Sequence, residues 1–245
     1  MIFRISGTKP EACELMWIWN LKGQGWRMVT EGAAQLKIAG IVHNDLLGRE
    51  RLRAWLRGIK ASERTPPAFV AVEYDQNMFR QLAAQRPTLR ALAREEWPDS
   101  SESILDTIEN SLCYEGDVHE GVFPGVETVW LDKGRTVKDP TVVSAYAHDR
   151  LNLYKSFVAR ELRELSDANL LTMSRTAWAR GDPPEIGGSV RDAKFARMIL
   201  DRLRLANRGW AVAAIGSSHA GEVEGSTADR LRSEGIKCQV SFLSP

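Results

Sequence analysis

The sequence predicts an α/β fold in which a mixed central sheet is flanked by helices. Three observations carry this. Short apolar runs with strand character alternate with longer stretches whose apolar residues recur at three- and four-residue spacing. The run Ala68-Phe-Val-Ala-Val is continuously apolar up to Glu73, as expected of a strand buried on both faces. A strand, Gly-x-x-His, polar loop, helix, strand unit also occurs near each end of the chain, once at Gly40 and His43 and again at Gly216 and His219.

Taken in order, residues 36–43 read as a short buried strand, and a polar run then opens a helix near Gly48 with Leu52, Trp55, Leu56 and Ile59 on one face. Pro66 and Pro67 end the connection before the second strand, 68–73. Helices follow over 76–96 and 101–114, with Asp99, Ser100 and Ser101 supplying a break and an N-cap. A loop from Glu115 to Gly125 leads into a third strand, 126–132, which ends on Asp132. A long helical stretch is expected over 142–173, a loop over 181–189 and a helix over 191–206. Strands at 210–215 and 237–243 enclose a loop and a helix at 227–234. The expected organisation is one α/β domain over 1–245, with 1–35 as an aromatic-rich extension and 133–190 as a helical insertion. Trp17, Trp19 and Trp26 in that extension read as core or as an edge hairpin.

Composition narrows the function. A chain of 245 residues with 43% hydrophobic content can bury a core without disulfides or a structural metal. Its 33 Lys+Arg offset 32 Asp+Glu, so the overall charge offers no draw toward nucleic acid or an anionic membrane. Cys13, Cys113 and Cys238 are odd in number and far apart, which argues against a disulfide framework or thiolate zinc site and suits a reducing cytoplasm. No apolar run approaches a membrane span, and no signal-peptide pattern opens the sequence.

Familiar motifs fail on inspection. Gly23-Gln-Gly25 meets Met28 where a dinucleotide loop needs glycine, and His119-Glu120 meets Phe123 where a zincin needs its second histidine. What remains is His43, Glu73 and His219, each on the loop side of an expected strand, where α/β sheets bind their ligands. Two imidazoles and a carboxylate suit Zn²⁺ or Mn²⁺ with an open water position. The same three groups also serve metal-free hydrolysis, one imidazole taking a proton from water and the other stabilising the oxyanion. Glu115, Asp117, His119 and Glu120 form an acidic loop cluster, read either as solvated or as cation-binding. Arg191 reads as an anion clamp near the site and Asp192 as a helix cap, whereas His148 reads as surface.

The order of Gly40-Ile-Val-His43, Pro67-Ala-Phe-Val-Ala-Val-Glu73, Glu115, Val129-Trp-Leu-Asp132, Arg191-Asp192 and Gly216-Ser-Ser-His219 resembles the TraB, PrgY and GumN family. Related to it are the Tiki metalloproteases and, more widely, the erythromycin esterases and ChaN-like haem-binding proteins. The resemblance implies that both histidines, Glu73, Glu115 and Arg191 line one pocket. It implies hydrolysis of a peptide or small ester, with His43, Glu73, His219 and Arg191 catalytic. For the Tiki branch it further implies metal-dependent peptide hydrolysis preferring Mn²⁺ or Co²⁺, and a divalent metal (Mn, Co or Zn) is expected on His43, Glu73, His219 and Glu115. The competing reading is a non-catalytic protein that holds haem or a peptide in the same pocket. Ile41, Ser218 and Val190 depart from the family pattern, and Glu222 falls near the expected pocket.

Overall fold

A computed structural model of the chain describes residues 3–4, 15–19, 26–30, 34–133, 139–179, 190–206, 209–221 and 223–243. Three short strands, β1 (Phe3–Arg4), β2 (Leu15–Trp19) and β3 (Trp26–Thr30), pair antiparallel in a small sheet of their own. The main sheet contains β4 (Gln35–Ile41), β5 (Phe69–Val72), β6 (Glu127–Trp130), β7 (Trp210–Gly216) and β8 (Lys237–Phe242), in the order β6-β5-β7-β4-β8. The α/β class is as the sequence predicts. Every pairing described in the main sheet is parallel, and the antiparallel partners of an expected mixed sheet lie in the separate N-terminal one.

Parallel strands need crossovers, and the helices provide them on both faces. Leu36, Ile38, Phe69, Ala71, Ala211 and Ala213 point to one face, packed by Phe195, Ile199 and Leu203 of α7 (Val190–Ala206) and Leu231 of α9 (Thr227–Ser233). The alternate residues, Ala39, Ile41, Val70, Val72, Val212 and Ala214, meet Leu52, Leu56 and Ile59 of α1 (Gly48–Ser62), together with Val118, Val122 and Phe123. A third apolar cluster lies beyond the carboxyl ends of the strands. Leu46 and Tyr74, just past β4 and β5, are buried there with Leu89, Ile108, Ala147, Tyr154 and Met173. These come from α3 (Arg86–Glu96), α4 (Glu102–Asn110), α5 (Pro140–Glu161) and α6 (Asp167–Ala179), so these four helices roof the end of the sheet.

Two helices expected to be continuous are broken. The 76–96 stretch divides into α2 (Gln76–Ala83) and α3, because Pro87 in the first turn of α3 has no N–H to extend a preceding helix. The 142–173 stretch divides at 162–166 into α5 and α6, and α5 begins at Pro140 behind the cap of Asp139. Ser101 caps α4 by accepting from the Ile104 N–H at 3.3 Å. Asp75, at the end of β5, caps α2 through the Asn77 N–H at 2.8 Å.

The two Gly-x-x-His units are not structural equivalents. Gly40 lies inside β4 opposite Ile215, where an added Cβ would stand 2.7 Å from Phe242 Cδ1. Gly216 ends β7, and His219 follows within a short helix, α8 (Ser217–Ala220), whereas His43 sits in a turn.

Val72 is fully buried in the ladder between Trp130 and Ala214. Val72→Asp places an unpaired charge there, at a cost expected to exceed about 4 kcal/mol. Far-ultraviolet circular dichroism with urea titration should find the variant unfolded or close to it, and a wild-type transition midpoint would refute this account of the core.

Candidate functional site

Because its strands run parallel, the main sheet delivers successive connections to a single edge. His43 follows β4, Glu73 follows β5, Asp132 follows β6, and Gly216 with His219 ends and follows β7. Glu73 is the meeting point. Its Oε1 accepts from Arg191 Nη2 at 2.7 Å and its Oε2 from the Gly216 backbone N–H at 2.5 Å. The same Arg191 nitrogen donates to Asp132 Oδ2 at 2.9 Å. Two imidazoles face this carboxylate, His43 Nε2 lying 3.5 Å from Oε2 and His219 Nε2 lying 3.6 Å from Oε1.

Each ring is held from behind by a buried acid. His43 Nδ1 is 2.5 Å from Glu115 Oε1, and His219 Nδ1 is 3.0 Å from Asp192 Oδ1. Asp192 Oδ1 also accepts from the Thr227 N–H and hydroxyl, both at 2.8 Å, which fixes it as an acceptor and leaves the proton on His219 Nδ1. The edge of the Phe195 ring supports His219, with centroids 5.3 Å apart.

These contacts decide the charges. Burial pushes the Glu73 pKa up, but His43, His219 and the Gly216 N–H outweigh it and hold the carboxyl at about 2. Packing around His43 acts first to lower its pKa, although 36% of the side chain remains open. The Glu115 and Glu73 carboxylates overcome this and push it up to about 10. At neutral pH Glu73 is therefore an anion between two cations, His43 and Arg191. Glycine at 216 keeps the centre clear, since a Cβ there would stand 3.0 Å from Glu73 Oε2 and 3.2 Å from His43 Nε2.

Of the residues singled out from sequence, His43, Glu73, His219 and Arg191 meet directly, and Glu115 joins them through the far nitrogen of His43. Glu115 is 1% exposed and its Oε2 has no hydrogen-bond partner. Its neighbours in the acidic loop turn elsewhere. Asp117 pairs with Arg49 and Arg86, His119 Nε2 meets Thr128 Oγ1 at 2.8 Å, and Glu120 is exposed. Burial lowers the His119 pKa to about 4. Among the described residues no group of three or more His, Cys, Asp or Glu is set out to hold a metal ion. His148 is exposed, and Glu222 and the 181–189 loop lie outside the described residues. Asp132 and Asp192 are additions. Asp132 ends its strand as Glu73 does, and that parallel was legible in the sequence. Asp192 holds His219 and the first N–H of α9, and only the approach of these elements to α7 reveals it.

No protein-family model matches the chain, and no curated protein matches it. Among solved structures, the type III effector HopBA1 is similar at 13% sequence identity, over 84% of this chain and 75% of that one, with a TM-score of 0.31. The resemblance to the TraB and Tiki families thus stands on the motif residues alone.

Two outcomes follow from the packing and charge at this site. Gly216→Ala should destabilise the protein by about 1–3 kcal/mol through overpacking. Gly209→Ala, whose Cβ would meet nothing within 4 Å, serves as the neutral control in the same urea titration. Equal stability of the two variants would show that the centre is not close-packed. The second outcome concerns pH. His43 binds its proton more tightly folded than unfolded, so its contribution is complete below 6.5 and lost as pH rises through about 10. Glu73 runs the other way, contributing above 4.5 and losing that contribution as pH falls toward about 2. Glu115→Gln should flatten the alkaline decline in stability, and an unchanged slope would contradict a carboxylate-held imidazolium.

Proposed function

We propose that this chain is a hydrolase that cleaves a peptide or small ester with water activated between His219 and His43. The observation that supports this reading best is the pair of imidazoles, each anchored at Nδ1 by a buried carboxylate and each turning Nε2 toward one ionised glutamate. His219 keeps its Nδ1 proton and donates it in a hydrogen bond to Asp192, which leaves Nε2 to take a proton from water as the oxygen attacks the acyl carbon. His43 is charged and donates from Nε2 to the oxyanion, with Arg191 adding positive charge beside it. The C–O or C–N bond then breaks as the leaving atom takes the His43 proton. The proton held by His219 returns to His43 across Glu73, and the site is restored.

A divalent ion is the second form of this reading. Two imidazoles that turn Nε2 toward one carboxylate are a donor set that a divalent ion would take. Carboxylates behind metal-binding imidazoles are also usual. His43, Glu73 and His219 would hold the ion and Glu115 would orient His43. Bound there, the ion would lower the pKa of its water and polarise the acyl oxygen. To accept it, His43 must give up its Nε2 proton, and Glu73 must share Oε1 with Arg191.

No helix of the described residues is long and apolar enough to cross a membrane. Cys113 and Cys238 are free thiols, and we assign the activity to a reducing cytoplasm.

The test pairs generic ester and peptide substrates with His43→Ala and His219→Ala. Both should lose activity by at least about a hundredfold while remaining folded. Full activity in both variants would end the assignment, and binding without turnover in the wild type would favour a ligand-holding protein. Thermal-shift titration with Mn²⁺ or Zn²⁺ separates the two forms. An ion at 100 times its dissociation constant adds about 2.7 kcal/mol to the native state. Activity without any such shift selects the metal-free form.

A further inference from the structure

The turn that carries His43 is fastened largely from the helical roof. The Val42 carbonyl accepts from Tyr114 Oη at 3.0 Å. Asp45 accepts from Arg51 Nε at 2.8 Å, and Arg51 Nη2 in turn reaches Ser174 Oγ of α6 at 3.2 Å. His43 itself is held by Arg150 of α5. One guanidinium nitrogen, Nη1, donates to the His43 carbonyl at 3.1 Å and to Asn44 Oδ1, while Nη2 donates to Tyr146 Oη at 3.2 Å.

Arg150 is only 7% exposed. Burying a guanidinium is costly, and the usual remedy is a carboxylate in contact. Arg49, Arg51, Arg86 and Arg191 each have one. Arg150 instead meets the His43 carbonyl, the Asn44 amide and the phenols of Tyr146 and Tyr154. A charged group buried in this way makes poor sense as a stabilising ion pair. It makes good sense as a rigid fork that fixes a backbone carbonyl and a neighbouring side chain together.

We infer that Arg150 is a positioning residue: by clamping the His43 carbonyl and the Asn44 amide, it sets the His43 ring between Glu115 and Glu73. The roof helix α5 thereby controls the geometry of the site without touching a substrate. The effect on turnover rests on the hydrolase reading, but the effect on the His43 ring does not. Lysine is a point donor on a flexible stem and cannot span both acceptors, so Arg150→Lys should restore the clamp only in part.

The test reads the low-field Nδ1 proton of the His43–Glu115 hydrogen bond by nuclear magnetic resonance, assigned by its loss in His43→Gln. In Arg150→Gln this proton should vanish or move upfield while the rest of the spectrum stays folded, and Arg150→Lys should give an intermediate result. On a substrate the wild type turns over, kcat should fall about ten- to a hundredfold with KM nearly unchanged, as displacement of a catalytic group by about 1 Å would cause. If Arg150→Gln does not fold, Asn44→Ala and Tyr146→Phe replace it, since each removes one anchor and leaves the charge in place. An unshifted His43 proton and wild-type kcat in a folded Arg150→Gln, or in both substitutes, would overturn the inference. His219→Ala is the control, because persisting turnover there defeats the hydrolase reading while the His43 proton still decides the role of Arg150.

Discussion

A carboxylate placed at the end of a buried central strand has to be answered by positive charge and hydrogen-bond donors, and Glu73 imposes that demand on everything around it. Isolated in a protein interior, an ionised carboxylate loses far more hydration than a fold can tolerate, and it would take up a proton instead. Glu73 stays ionised because the ends of β4 and β7 and the first turn of α7 bring donors to it. The Gly216 N–H and Arg191 meet its two oxygens, and His43 faces it as a cation. Arg191 and His43 then carry demands of their own, met by Asp132 and Glu115. Opposite charges alternate outward from the centre, with Asp132 behind Arg191 and Glu115 behind His43.

This alternation explains why the site sits where it does. The β4, β5 and β7 strands are neighbours in one parallel sheet, so their carboxyl ends are close in space although far apart in sequence. Strand β7 enters between strands formed much earlier in the chain and brings Gly216 against Glu73. The missing side chain at 216 is what lets a backbone donor approach that closely. The helical roof closes the remaining side, burying Tyr74 and Leu46 just beyond the strands and fixing the His43 turn from above.

Much of this was legible in the sequence, for definite physical reasons. Continuous apolar runs identified the buried parallel strands, and the polar residues directly after them, His43, Glu73 and His219, were marked by position alone. Breaks within helical stretches were harder to read. Periodicity ran through 84–85 and 162–166, although Pro87 opens a helix of its own. The partner of the His219 ring and the clamp on the His43 turn were hidden for another reason. Asp192 and Arg150 lie on helices whose approach to the sheet ends is set by tertiary packing, and neither carries a local signature of its role. The apparent repeat of Gly-x-x-His picked out two histidines that both face Glu73, although the units differ. One glycine admits Phe242 and the other admits a backbone N–H to Glu73.

The most direct test of the central claim is the titration of the His43 ring, followed by nitrogen-15 resonances of imidazole-labelled protein from pH 5 to pH 11. A carboxylate-bound imidazolium predicts that both His43 nitrogens stay protonated through neutrality and that the ring titrates near pH 10. Titration near the ordinary value of 6.5 would mean that Glu73 and Glu115 do not hold a charged His43, and the account of the site would fail.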